Sequence, residues 1–219
     1  MIDLTDRTKV DVTQSTVLKG TLRIAASPVI SQAILPDVLT RLHAKYPDMH
    51  LELMTAPSSE IKRLLKSKKA DIGCSELDHL PSSKAFMQDE LLLFASIHHP
   101  LAHKKSPSIL DLQNTHWILP DTKDPSRPLI DQSLQQYGVQ VQPTIMGSPE
   151  SIKQAVLSGL GIAILSRHSC KHELAKGELT VLDYKVAPIK RTLYTGTHSN
   201  TKEVQAFLSE LQAYCRLWQ

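Results

Sequence analysis

Residues 1–19 carry no core-forming pattern: Ile2, Leu4, Val10, Val12 and Leu18 are scattered among polar positions. Order begins at residue 20. GTLRIAAS (20–27) is a short β-branched and apolar run, as a buried strand requires. VISQAILPDVLTRLHAKYP (29–47) places Ile34, Leu35, Val38, Leu39 and Leu42 at helical spacing, with Pro47 as a stop. MHLELMTA (49–56) alternates like a strand. SSEIKRLLKSKKA (58–70) is amphipathic, with Ser58 or Ser59 at its N-cap, and ADIGCSE (70–76) is another short strand. Strand, helix, strand, helix and strand with short connections predict a parallel sheet with helices on its faces.

The theme then repeats. ELLLFASI (90–97) is a continuous apolar run suited to a central strand. SILDLQN (108–114) reads as a helix, HWILP (116–120) as a strand, and SRPLIDQSLQQYG (126–138) as a helix ended by Gly138. VQPTIMG (141–147) is a strand. SPESIKQAVLSGLG (148–161) is a helix capped by Ser148 and ended by Gly159 or Gly161, and IAILS (162–166) is the next strand. KRTLYTGTHS (190–199) reads as a strand, and TKEVQAFLSELQAYCRLW (201–218) as a long amphipathic helix. Two α/β blocks result, roughly 20–94 and 95–189, with a final segment available to return to the first. Such sheets bind ligands at the carboxyl ends of their strands, and two of them side by side enclose a cleft. Two sheets with a gap where Ser27 and Ser148 face each other are expected, not one continuous sheet.

Composition narrows the function classes. The 219 residues are 41% hydrophobic and 21% charged, an ordinary globular balance. With 25 basic and 22 acidic residues the net charge is +3, too small to argue for a nucleic-acid-wrapping surface. Cys74, Cys170 and Cys215 are few and far apart, so neither a disulfide framework nor a zinc motif is expected, and a reducing, cytoplasmic compartment fits. The N-terminus lacks a signal-peptide pattern, and no stretch approaches the ~18 apolar residues of a membrane span.

Five motifs in order carry a resemblance: G-x-L-R-I-A at Gly20–Ala25, ILPDVLTRLHAKYPDMHLEL, ADIG at residues 70–73, HPLA at His99–Ala102, and V-x-x-G-x-G-I-A-I-L at Val156–Leu165. Over residues 20–217 the chain resembles the effector-binding domain of LysR-type transcription regulators. The resemblance implies a fold like that of type 2 periplasmic binding proteins: two Rossmann-like α/β subdomains, joined by two crossover strands, around an effector cleft. Residues 20–94 with 190–219 would form subdomain I and residues 95–189 subdomain II. Residues 1–19 would be a tail or the end of the family's linker helix. The family's helix-turn-helix is absent from this sequence, so the chain reads as a truncated regulator that reaches DNA only through that missing part. A small-molecule effector and self-association as a dimer or tetramer are implied, with the apolar face of the Val29–Lys45 helix available to a second copy. A solute-binding protein of a transport system shares the fold and is the alternative.

Candidate ligand contacts follow from loops at strand ends. Ser27, Pro28, Val29 and Ile30 end the first strand and open a helix, where amides and a hydroxyl can donate to an anion or carbonyl, although Ser27 could simply cap its helix. Pro57 and Ser58, and Ser75 and Glu76, occupy two further strand ends; Pro57 stands where relatives often carry a polar side chain, and Glu76 disfavours an anionic effector unless a base pairs with it. In the second block, Pro120 and Arg127 lie between strand and helix; the Arg127 fork suits a carboxylate, against the commoner role of an exposed surface arginine. Ser148 and Glu150 open a helix, with capping as the equal alternative. His98, His99 and His103 lack a completing carboxylate or cysteine for a metal, and no G-x-S-x-G elbow accompanies the serines and histidines. No catalysis, metal or cofactor is expected.

Overall fold

The computed structural model describes residues 18–105 and 107–218; the expected tail therefore lies outside the described residues except for Leu18 and Lys19. Strand β1 (Gly20–Ala26) runs parallel to β2 (Met49–Thr55) on one side and β3 (Ile72–Ser75) on the other. Its alternate residues Leu22, Ile24 and Ala26 face one core and Ala25 the other, so this strand is covered on both faces. Helices α1 (Pro28–Ala33), α2 (Leu35–Lys45) and α8 (Lys202–Cys215) supply Ile30, Leu35, Val38, Leu42, Phe207 and Leu211 to the first core. Helix α3 (Ser58–Lys66) covers the opposite face with Ile61, Leu64 and Leu65.

The second half contains α4 (Ile109–Gln113), β5 (Ile118–Pro120), α5 (Arg127–Gln136), β6 (Thr144–Met146), α6 (Pro149–Leu157), β7 (Ala163–Ser166), α7 (Lys171–Lys176) and β8 (Leu179–Val181). One core there gathers Leu91, Leu93, Trp117, Ile130 and Ile164; another gathers Leu92, Phe94, Ile118, Ile152 and Leu165.

Hydrogen bonding does not stop between the halves, which differs from the expected pair of separate sheets. Strand β4 (Lys84–Ser96) and strand β9 (Ile189–Thr197) pair antiparallel over most of their length. β9 also pairs with β3, and β4 with β7 and β8, giving the order β2-β1-β3-β9-β4-β7 in one seven-stranded sheet. Only β5 and β6 form a separate parallel pair among the described residues, linked to the strand end at Ile162 by a bridge from Trp117. The division survives in the packing rather than in the ladder. Along β4, Met87 belongs to the first core and Leu91 to the second; along β9, Leu193 belongs to the first and Ile189 packs on the second.

Between those positions the two strands place Asp89 directly opposite Arg191. Asp89 is fully buried and Arg191 nearly so; Arg191 Nε donates to Asp89 Oδ2 at 2.8 Å, and Ser166 Oγ donates to Oδ1 at 2.8 Å. A second tie joins the halves at the surface. Lys171 Nζ donates to the Ala33 carbonyl at 3.0 Å and to Asp37 Oδ2 at 2.5 Å, and lies 5.8 Å from the Tyr214 ring centroid. Beside it, buried His168 packs edge-on against Trp218 at 4.5 Å between centroids.

Local departures from the sequence pattern have local causes. The expected 29–47 helix is split at Ile34, whose φ of −114° departs from helical geometry. Pro36, in the first turn of α2, has no N–H to continue the α1 ladder. The expected 148–161 helix ends at Leu157 because Gly159 takes φ +81°, and Leu160 N–H returns to the Ala155 carbonyl. Gly161 is required for a different reason: a Cβ there would sit 2.2 Å from the His116 carbonyl oxygen. The 84–89 half of β4, α7 and β8 carry no clear signal; α7 buries none of its residues.

Two predictions follow from the junction. Asp89→Ala strands a buried guanidinium and removes the Ser166 acceptor. It is expected to lower stability by about 3–5 kcal/mol in urea unfolding, with Asp89→Leu/Arg191→Met recovering most of the loss. Burial, ahead of the opposing attraction of Asp89, holds His168 below its ordinary value. The unfolded chain therefore binds its proton first, so the contribution is full above about pH 6.5 and is lost as pH falls below it. The urea midpoint should drop between pH 7.5 and 5.5, and His168→Phe should flatten that drop.

Candidate functional site

The N-termini of α1 and α6 face each other across the junction, each following the carboxyl end of a strand. Val29 from α1 and Pro149 and Ile152 from α6 line a cavity of about 20 Å³, with Pro120, Asp124 and Ser126 on the β5–α5 side and Leu91, Ile164, Ser166 and Arg191 at its floor. This is room for about one water. The cavity lies next to the expected gap, but neither Ser27 nor Ser148 lines it.

The structure brings three of the candidate residues of the first half together. Ser27 does not cap its own helix; its Oγ donates to Glu76 Oε1 at 2.7 Å. Ser58 Oγ donates to Glu76 Oε2 at 2.6 Å. Ser75 is buried and its hydroxyl accepts from Leu77 N–H at 3.0 Å. Pro28 is half-buried and Val29 lines the cavity, whereas Ile30 is fully buried in the first core. Pro57 precedes α3 as an exposed N-cap without a side-chain hydrogen bond.

The second half scatters its candidates. Pro120 lines the cavity while its carbonyl accepts from Arg127 Nη1 at 2.8 Å. The Arg127 Nε donates to Asp131, and the side chain borders an outer groove with Gln135, Val139 and Pro143 rather than the cavity. Ser148 caps α6, accepting from Ser151 N–H at 3.1 Å. Glu150 pairs with Lys153 at 3.0 Å and borders a separate cavity of about 90 Å³ with Asp37, His168 and Lys171. His99 accepts from Leu101 N–H and so caps the short turn at Pro100–His103.

Sequence reasoning placed Ser126 beside Arg127 between strand and helix but missed Asp124, Ser166 and the Asp89–Arg191 pair. The pair had a usable signal, since a charge in the middle of a strand that is otherwise buried needs a partner. Asp124 Oδ1 accepts from both the N–H and the Oγ of Ser126, at 2.8 and 2.5 Å. Arg191 Nη2 lies 2.8 Å from Asp89 Oδ2 but is off-line for a directed hydrogen bond.

Comparison with known proteins agrees with this geometry. The family described as LysR substrate binding domain matches residues 15–216. The chain is 32% identical over 204 residues to the HTH-type transcriptional regulator CysL of Bacillus subtilis, covering 90% of this chain and 68% of that protein. It is 30% identical over 202 residues to the transcriptional activator protein LysR of Escherichia coli, covering 89% and 64% respectively. The fold is similar to the CcmR regulatory domain of Synechocystis PCC6803 in complex with 2-PG, at TM-score 0.75 and 28% identity over 90% of this chain and 98% of that one. The effector binding domain of QuiR in complex with shikimate shares the fold at TM-score 0.72 and 19% identity, over 91% and 99% of the two chains. These relatives are regulators and their domains, and nothing favours the transport alternative. The chain belongs to the LysR substrate-binding family: it is an effector-binding domain of a LysR-type transcription regulator, with the type 2 periplasmic-binding-protein-like fold.

Proposed function

We propose that the domain senses a small molecule in the cleft between the N-termini of α1 and α6 and reports its presence to a DNA-binding domain on the same polypeptide. The segments before Asp89 and after Arg191 act as one lobe and the segment between them as the other, flexing about β4 and β9 there; Leu91–Phe94, expected in the first block, thus move with the second. The observation that supports this most directly is the cavity itself, placed at strand ends where α/β folds take their ligands. Val29 from one lobe and Pro120 and Ser126 from the other line it; on this reading Ser27, Pro28, Ser58, Glu76 and Ser148, on the adjoining loops and helix starts, join its rim when an effector enters. The regulator acts in the cytoplasm as a dimer or tetramer and performs no chemistry on its effector.

A cavity of about 20 Å³ does not hold a metabolite, so the lobes part when one enters. The Lys171 contact with Asp37 and the Ala33 carbonyl opposes that parting. An effector shifts the balance only by binding the parted arrangement better than the closed one. The related domains bound to 2-PG and to shikimate are consistent with small polar ligands in such a cleft.

Calorimetry over a metabolite panel, paired with a reporter assay on the full-length gene, tests the proposal. At least one small molecule is expected to bind and to change reporter output, and Val29→Trp, which overfills the cavity, should abolish both at a cost of about 1–3 kcal/mol in stability, with circular dichroism confirming that the variant is folded. A panel in which nothing binds or alters expression overturns the sensing role.

A further inference from the structure

The polar wall of the first lobe is already occupied. Ser27 is 1% exposed and Ser58 is 3% exposed, so neither hydroxyl can rely on solvent for an acceptor. Both point their protons at one carboxylate, the two oxygens of Glu76, at 2.7 and 2.6 Å. Ser58 is the first residue of α3, a nine-residue helix whose N-cap, Pro57, provides no side-chain acceptor, so the Glu76 charge also faces a helix N-terminus. Hydroxyl donors together with a helix start are the equipment of an anion site. Here the anion is the protein's own. Ser27 leads directly into Pro28 and Val29, and Val29 lines the cavity, so this cradle adjoins the cavity two residues away along the chain.

The charge inventory of the cleft points the same way. Among the described residues Glu76 makes no ion pair with any lysine, arginine or histidine. On the facing wall Asp124 is held by Ser126 alone. Arg191, the basic side chain at the cavity floor, is neutralised by Asp89. Asp124 on the cavity lining and Glu76 beside it are therefore carboxylates without a counter-charge among the described residues, and Glu76 keeps acceptor sites beyond the two its serines use.

We propose that Glu76 is the specificity-determining residue of the cleft: by filling the Ser27–Ser58 cradle with its own carboxylate it shuts out anionic effector groups and presents an acceptor to a proton donor, above all an ammonium. An effector that presents its carboxylate or phosphate to this wall would have to displace a carboxylate already bonded twice, and would meet its like charge in doing so. An amine instead meets an oriented acceptor with no competing cation. The inference rests on the cleft being the effector site, and goes further by assigning the charge of the group that meets this wall.

Inorganic sulfate serves as the probe, because it needs no knowledge of the effector. Isothermal titration and thermal shift are run on this chain and on its Glu76→Ala, Glu76→Gln and Glu76→Ala/Ser58→Ala variants, with circular dichroism confirming that each is folded. The wild type should show no saturable sulfate binding. Glu76→Ala exposes two donors without an acceptor and should bind sulfate at least about tenfold more tightly than the wild type. Glu76→Gln, which still fills the cradle, should gain less, and Ser58→Ala added to Glu76→Ala should take the gain away. If the wild type binds sulfate as well as Glu76→Ala, or if no variant binds it, Glu76 does not occupy an anion cradle and the inference is overturned. Either result leaves the sensing role to be decided by the metabolite panel and the reporter, so the two can fail separately.

Discussion

The pairing of β4 with β9 is the constraint on which the rest of the domain depends. These two strands are the only ones among those described that contribute side chains to the cores of both halves. Through them one ladder carries a parallel three-stranded layer on one side and an antiparallel layer on the other. Where the cores change over, neither offers apolar cover to both strands at once, and the chain places Asp89 and Arg191 opposite each other there. A buried ion pair is weak evidence for stability, because desolvation offsets much of its attraction. It is more directional than an apolar contact, however, and Ser166 fixes it to the end of β7. The pair thus sets the register of the strands at the changeover between the two cores.

The cleft inherits its character from this arrangement. Because β1 and β6 end on either side of the junction, α1 and α6 start there and bring their N-termini to the same cavity. Chains that present amide and hydroxyl donors from both sides would ordinarily form a site for a negatively charged ligand. Glu76 reverses that default on one wall, and Asp124 weakens it on the other.

Much of the architecture was legible in the residues. Alternation and helical spacing placed β1, β2, α3, α5, α6, β7 and α8 close to where they lie, and the ordered motifs pointed to the family. What escaped was what only the third dimension decides. The Asp89 side of β4 reads as polar, and its burial depends on a partner about a hundred residues away. The split of the 29–47 helix was written in Pro36, but an apolar periodicity that ran through it hid the break. At the site, the serines at strand ends were visible as donors, yet which acceptor they would meet was not. Arg127 was attractive by chemistry alone, and its neighbours Asp131 and the Pro120 carbonyl turn it toward the outer groove. Residue type identifies what a side chain can bind, while tertiary placement decides what is left for a ligand.

The Lys171 contact bears on how such a domain acquires its threshold. It is a partly exposed ion pair of a kind worth roughly 0–1 kcal/mol, within reach of one substitution. The apparent affinity of a receptor scales with the fraction of molecules already in the competent arrangement. Altering Asp37 or Lys171 therefore retunes the concentration at which the regulator responds by up to about fivefold, while every atom that recognises the ligand stays unchanged. Sensitivity and selectivity are thereby written into separate parts of the chain and are free to evolve independently.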